Sequence, residues 1–163
     1  MNNNVQIDSA QVDNLLDKLM DDELKRNILF KAVKEGAKVL QDNTKKSFRS
    51  VMGAAASKPN SWNGKAFSDG ITLKADKAYC EAVVSIMGDY RLKFFEKGTK
   101  QRRTKGRKIV GYASNGRNLK REGKGHYTGA IKAKYFFKDA RNQSETAIDE
   151  AMIKSIQTAL NKL

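Results

Sequence analysis

From Asp21 to Met52 apolar residues recur at helical spacing. Leu24, Ile28, Leu29, Ala32, Val33, Gly36, Val39, Leu40 and Phe48 fall on one stripe, and Lys25, Lys31, Lys34, Lys38, Lys45 and Arg49 lie mostly off it. Asp21, Asp22 and Glu23 suit the positive end of the helix dipole, and Lys45, Lys46 and Arg49 the negative end. The pattern predicts a long amphipathic helix over 21–52. Before it, Val12, Leu15, Leu16 and Leu19 predict a short acidic helix or arm within 1–20, with Asp8 and Gln11 at capping-box spacing.

Residues 53–65 read as a loop through Pro59, Asn60, Asn63 and Gly64. The period then changes to two. Ile71, Leu73 and Ala75 alternate with Thr72 and Lys74, and Cys80, Ala82, Val84 and Ile86 alternate with Glu81, Val83 and Ser85. Asp76-Lys77 is the expected hairpin turn, and Cys80 is expected on the buried face of its strand. Tyr90, Leu92 and Phe94 predict a third strand after the turn at Gly88-Asp89.

From Gly98 to Gly129 the apolar signal nearly vanishes, apart from Ile109, Val110 and Tyr112. Six glycines (Gly106 to Gly129) and ten bases (Lys100 to Lys124) make 99–132 a long basic loop. The pattern returns at Ala133-Lys-Tyr-Phe-Phe137, expected as a short strand. A helix follows from about Ser144, with Ile148, Met152, Ile156, Ala159 and Leu163 on one face and a capping box at Asn142 and Glu145. Helices segregated from an antiparallel sheet predict one α+β domain over 1–163. Its sheet is a β-meander, packed by the long N-terminal helix and the C-terminal helix. No internal repeat is present.

Composition narrows the classes. In 163 residues there are one Cys and one His, which leaves no disulfide framework and little basis for a zinc site. No apolar run approaches the ~18 residues of a membrane span. The start, Met1 to Asp8, shows neither a basic nor an apolar leader region, so an intracellular chain without a secretory leader is expected. Net charge is +14, unevenly spread: 1–24 carry six acids and one base, whereas 97–124 carry eleven bases and one acid. Such asymmetry points to a polyanion or an acidic protein surface as partner.

Catalytic chemistry finds no footing in these residues. His126 lies in Gly-Lys-Gly-His-Tyr with only Glu122 near it in sequence, and reads as a solvated loop histidine. Gly111 to Asn118 copies the glycine spacing of a phosphate-binding loop, but Arg117 replaces its lysine and Asn118 lacks the magnesium-binding hydroxyl. Glu122-Gly-Lys124 imitates half of a nuclease core without a partnering acid. The expectation is a non-enzyme with no catalytic, metal or cofactor site.

The basic segment is the main candidate contact surface. Lys100, Arg102, Arg103, Lys105, Arg107, Lys108, Arg117, Lys120, Arg121 and Lys124 are interleaved with Gly, Asn, Ser and Tyr112. Such a run can lie along phosphates, gaining salt-dependent affinity by counterion release, or dock on an acidic protein neighbour.

At Phe94-Phe95-Glu96-Lys97-Gly98-Thr99 the chain resembles the tail-component, head–tail joining (tail-completion, neck) family of long-tailed bacteriophages related to the minor tail protein Z of lambda. That family has a long amphipathic helix, a meander and an aromatic segment ending in Glu-x-Gly-Thr. A loop, an Ala-Arg-Pro-Phe-like segment and a C-terminal helix follow. Here Glu96, Gly98 and Thr99 fill the first motif, and Ala133 to Ala140, with Phe136 and Phe137, the second. Ser68-Asp69-Gly70-Ile71 stands at the family's strand start, Tyr135 stands where proline is usual, and the 99–132 loop is longer and more basic than is typical.

The resemblance implies a structural virion-assembly protein at the head–tail junction, a homo-oligomeric ring around the DNA channel that abuts portal, connector or tail-tube proteins. It would reside in the host cytoplasm during assembly and then in the neck or tail of the virion. The alternative is a nucleic-acid-binding module that uses the basic 100–124 loop. Gly98 is expected to supply a positive φ where the chain leaves the sheet, Glu96 either to accept hydrogen bonds from loop amides or to stand as an exposed turn carboxylate, and Phe136 or Phe137 to lie in the core.

Overall fold

The computed structural model describes residues 22–59, 64–104, 108–112 and 119–162, of which 108–112 and 119–122 are described by backbone path. The predicted 1–20 helix lies outside these residues, as do Lys105, Arg107, Arg117 and Leu163. The fold is α+β. Helix α1 (Asp22–Met52) leads through two 3-10 turns (Gly53–Ala56 and Phe67–Gly70) to strands β1 (Thr72–Asp76) and β2 (Glu81–Ser85). A short helix α2 (Leu92–Lys97) follows. Strands β3 (Arg102–Arg103), β4 (Lys108–Tyr112), β5 (Leu119–Glu122) and β6 (Tyr127–Gly129) come next, and then the C-terminal helix α3 (Phe136–Leu160).

The two long helices form the body. The buried residues of α1 are Ile28, Ala32, Gly36, Thr44 and Phe48. Those of α3 are Phe136, Ala140, Ser144, Ile148, Met152 and Ile156. Both sets follow a four-residue step, so each helix offers an i±4 ridge to the other. The helices run antiparallel, as two separate clusters show. Ile28 and Ala32 meet Ile148, Met152 and Ile156 at one end. Phe48 meets Phe136 at the other, together with Ala56, Ile71 and Leu92. Close approach between the clusters needs Gly36, because a Cβ there would stand 2.8 Å from Met152 Cγ. The polar residues at the waist are satisfied locally: Thr44 Oγ1 donates to Leu40 O (2.7 Å) and Asn43 Nδ2 donates to Ser144 Oγ (2.9 Å).

Strands β1 and β2 pair antiparallel from Thr72↔Ser85 to Asp76↔Glu81. Leu73 and Val84 share the face that the alternation assigned to them, and Val84 and Ile86 pack on the Phe48–Phe136 cluster. The expected turn at Asp76-Lys77 moves on by one residue to Lys77–Cys80, with Asp76 closing β1 and its Oδ1 accepting from Ala78 N (2.8 Å). Cys80 is therefore a half-buried turn residue with φ 50°, not a buried strand residue. Ser68 to Gly70 belong to a 3-10 turn that delivers Ile71 to the core, and β1 begins at Thr72.

The meander stops at two strands. The predicted third strand is α2, because two local features outweigh the alternation of Tyr90, Leu92 and Phe94. Asp89 stands before the helix and its Oδ1 accepts from Arg91 N (3.0 Å), an Asx-type turn that bends the chain into α2. Phe95, ignored by the alternating pattern, joins Leu92 and Glu96 on an inward i, i+3, i+4 face. Tyr90 and Phe94, one turn apart, stack edge-to-face at 6.0 Å on the outside.

Asp89 makes this entry sensitive to acid. The Arg91 guanidinium donates through Nε to both Asp89 oxygens (2.9 and 3.1 Å) and lies 4.3 Å from the Phe67 ring centre. The Arg91 side-chain hydrogen bond, opposed by burial and reinforced by the Arg91 amide, holds the Asp89 carboxyl below its ordinary value. A depressed carboxylate contributes stability that is present above its unfolded pKa and lost as pH falls through its folded pKa. Asp89→Asn is thus expected to melt lower than the parent at neutral pH, with the gap closing in acid below the usual aspartate range. Thermal melts across that range check it, and a pH-independent gap would refute the assignment.

Candidate functional site

The residues of the two family motifs lie 34 or more positions apart in the chain and meet at one place. Glu96, near the end of α2, is 7% exposed and projects to the start of α3. Its Oε2 accepts from Phe137 N (2.9 Å) and its Oε1 from Lys138 N (3.2 Å). A helix begins with amides that have no intrahelical acceptor, and a carboxylate there satisfies them and complements the dipole. Glu96 therefore accepts hydrogen bonds as expected, but from helix amides and not from loop amides beside a sheet end. Burial without a paired cation is accounted for by these two donors.

The backbone extends the contact. Lys134 N donates to Phe95 O (2.9 Å) and Tyr135 N to Glu96 O (3.2 Å). Thr99 and Ile131 exchange bonds: Thr99 N donates to Ile131 O, and Ile131 N to Thr99 Oγ1, both at 2.9 Å. Gly98, just before Thr99, has φ 73° and ψ −179°, a region essentially restricted to glycine. A Cβ there would stand 2.8 Å from both Ala133 N and Ile131 O. The positive φ follows a helix, so the chain is leaving α2 and not a sheet.

This contact also decides where α3 starts. Residues 131–135 belong to no helix or strand, Tyr135 takes a left-handed turn (φ 49°), and Asp139 N donates back to Tyr135 O (2.8 Å). Phe136 and Phe137, expected on a strand, are the first two residues of α3. Helix α3 begins eight residues before Ser144, and the expected cap at Asn142 and Glu145 lies inside it as exposed helix surface. Phe136 is fully buried, with its ring centre 4.8 Å from that of Phe48. Phe137 is half-buried against the same cluster.

The basic segment leaves the body directly from this contact. Where a loop was expected, the chain folds back on itself in nested pairs. Arg102 and Arg103 of β3 pair with Gly129 and Tyr127 of β6, across a bulge. Lys108 to Tyr112 of β4 pair with Glu122 to Leu119 of β5, across a second. Arg102, Arg103, Tyr127, Thr128 and Gly129 are all exposed, so the β3–β6 ribbon buries neither face. That explains its silence in the hydrophobic pattern, since alternation appears only where one face is covered.

Of the predicted contact residues, Lys100, Arg102, Arg103 and Lys124 are exposed at the root of this arm. Lys108 lies on β4, and Lys120 and Arg121 on β5. His126 is exposed and serves the ribbon's architecture: its amide donates to Thr104 Oγ1 (3.0 Å), its carbonyl accepts from Thr104 N (2.8 Å), and its Nδ1 lies 3.1 Å from Thr104 Oγ1.

Elsewhere the helices leave a groove of about 510 Å³, lined by Lys31, Glu35, Lys38, Val39, Asp42 and Lys154 among others. Its charges are mixed, and Lys38 is paired with Glu35. Among the described residues no cluster of three His, Cys, Asp or Glu side chains is placed to hold a metal ion, and no helix is long and apolar enough to cross a membrane. The chain matches no protein-family model, no curated protein and no solved structure.

Proposed function

We propose that this chain is a structural, non-catalytic component of a long-tailed phage or prophage particle, a ring-forming adaptor at the head–tail junction. The observation that carries the reading is the contact just described. Two short motifs that are separate in sequence, Glu96-x-Gly98-Thr99 and the Phe136-Phe137 segment, come together: Glu96 accepts from Phe137 and Lys138, Gly98 lies against Ala133, and Thr99 binds Ile131 just before the second motif. Residues that secure one shared tertiary contact give reason for the two motifs to occur together, which supports the resemblance that the motifs suggested. The β3–β6 ribbon buries neither of its faces, and a two-stranded ribbon alone is marginal in water, which supports a role in contacting other components of the particle.

The charge map supplies a way to close a ring. The acidic 1–24 segment of one subunit attracts the basic arm of the next, a heterologous contact in which each subunit uses two different surfaces. Sedimentation velocity of the full chain at low salt is expected to give one dominant oligomer, and deletion of residues 1–20 or high salt is expected to shift it toward monomer. A full chain that stays monomeric at low salt would sink the ring, and assembly indifferent to the deletion would sink the acidic–basic pairing.

A further inference from the structure

We propose that the β3–β6 ribbon is a binding site for the phosphodiester backbone of duplex DNA, with Arg103 as its best-organised phosphate donor. The inference goes beyond adaptor assembly and does not depend on it. Between Glu96 and Asp139 the chain has fourteen bases and a single acid, Glu122. Lys100, Arg102, Arg103 and Lys124 are all exposed, and none is paired with a described carboxylate. A surface so cationic attracts a polyanion of either kind, and the distinction lies in what accompanies the charge.

Protein interfaces have cores depleted in charge and anchored by apolar or aromatic side chains. The described ribbon presents Arg102, Arg103, Thr128, Gly129 and one aromatic, Tyr127, which is 61% exposed. It has no apolar patch to anchor a protein. Phosphate contacts need only cations and hydrogen-bond donors placed along a track. A two-stranded ribbon is also one of the two shapes that a major groove, roughly 12 Å wide, admits.

Arg103 is the residue with built-in orientation. Its Nε donates to Gly125 O (3.2 Å), and its guanidinium carbon lies 5.2 Å from the Tyr127 ring centre. The Thr104–His126 bonds fix the two strands beneath it. With Nε engaged and one face over tyrosine, the two terminal nitrogens remain for a fork-like contact to phosphate oxygens, the geometry at which arginine surpasses lysine. Holding the group in advance lowers the entropy lost on binding.

The test is fluorescence anisotropy with a labelled duplex of about 20 base pairs over a range of salt, using the full chain. Each phosphate contact contributes roughly −0.9 to the slope of log K against log salt. Arg102→Ala/Arg103→Ala is expected to flatten the slope by about two and to weaken binding at least about tenfold at moderate salt. The charge-matched Lys34→Ala/Lys154→Ala, at exposed positions on α1 and α3, is expected to change it far less. Equal losses in the two variants would overturn the site, since only overall charge would then matter. Absence of binding by the parent at low salt, with the ribbon protected from protease on self-association, would reassign it to a protein contact. All the substituted side chains are exposed, so circular dichroism should be unchanged. Sedimentation of the same samples reports on assembly separately, so failure of one reading is distinguishable from failure of the other.

Discussion

Phe136→Ala is expected to lower the free energy of unfolding by about 3–5 kcal/mol, the range for deleting a buried aromatic ring. Phe136 has no exposed surface and packs with Phe48, Ala56, Ile71 and Leu92. Its neighbours come from α1, both sides of the connection to the hairpin, and α2, so no single element can relax into the space. Phe95 and Phe137 border the cluster, and Phe48 meets Phe95 with ring centres 6.1 Å apart. The cavity would therefore open where α2, the hairpin and α3 are joined. Ile156→Val in the other cluster removes one methylene and should cost about 0.5–1.5 kcal/mol. Urea denaturation of both variants checks the contrast. A Phe136→Ala loss no larger than that of Ile156→Val would mean that the aromatic cluster does not hold the body together.

Glu96→Ala is the second large expectation. It removes the acceptor of two hydrogen bonds at the start of α3 and leaves the Phe137 and Lys138 amides without it. Hydrogen bonds to a charged group contribute about 1.5–3 kcal/mol, and water can reach part of the opened site, so a loss of about 2–4 kcal/mol is expected. Glu96→Gln keeps one oxygen acceptor but neither the charge nor the second acceptor, and should lie between parent and alanine. The discriminating readout is local. Amide exchange at Phe137 and Lys138 should accelerate in Glu96→Ala more than exchange in the middle of α3, because the first turn would fray. Unchanged exchange at those two amides would show that the carboxylate is not the cap.

These two residues also mark where sequence reasoning reached and where it stopped. Phe136 was legible as a core residue because large aromatics are rarely left in water, whatever element carries them. Its element was misjudged. Ala133-Lys-Tyr-Phe-Phe137 has no capping residue of its own, so nothing local signals a helix start; the cap comes from Glu96, some forty residues earlier. Cys80 shows the same limitation on a smaller scale. Its period-two spacing from Ala82 suggested a strand, but the hairpin register Asp76↔Glu81 leaves it in the turn. For α2 the signal was present in the sequence: Phe95 beside Phe94 breaks strict alternation, and Asp89 is a turn former just before the helix.

The arm was legible by charge and illegible by shape. Ten bases in 25 residues, Lys100 to Lys124, marked it as a contact surface. The β3–β6 pairing left no trace in the hydrophobic pattern, since an exposed ribbon selects no buried face. Glu96-x-Gly98-Thr99 stood out as a motif, whereas its task, joining α2 to the 131–138 segment, required the fold to be seen.

Helix α1, the first hairpin, the α+β class and the cationic arm are thus consequences of local order in the chain, because periodicity and charge density act between residues that are near neighbours. The start of α3 and the folded-back course of the arm were set by partners distant in sequence. Hydrogen bonds from Phe137 and Lys138 to Glu96, and from Ile131 to Thr99, exist only once the body has closed, and no window of sequence contains both ends.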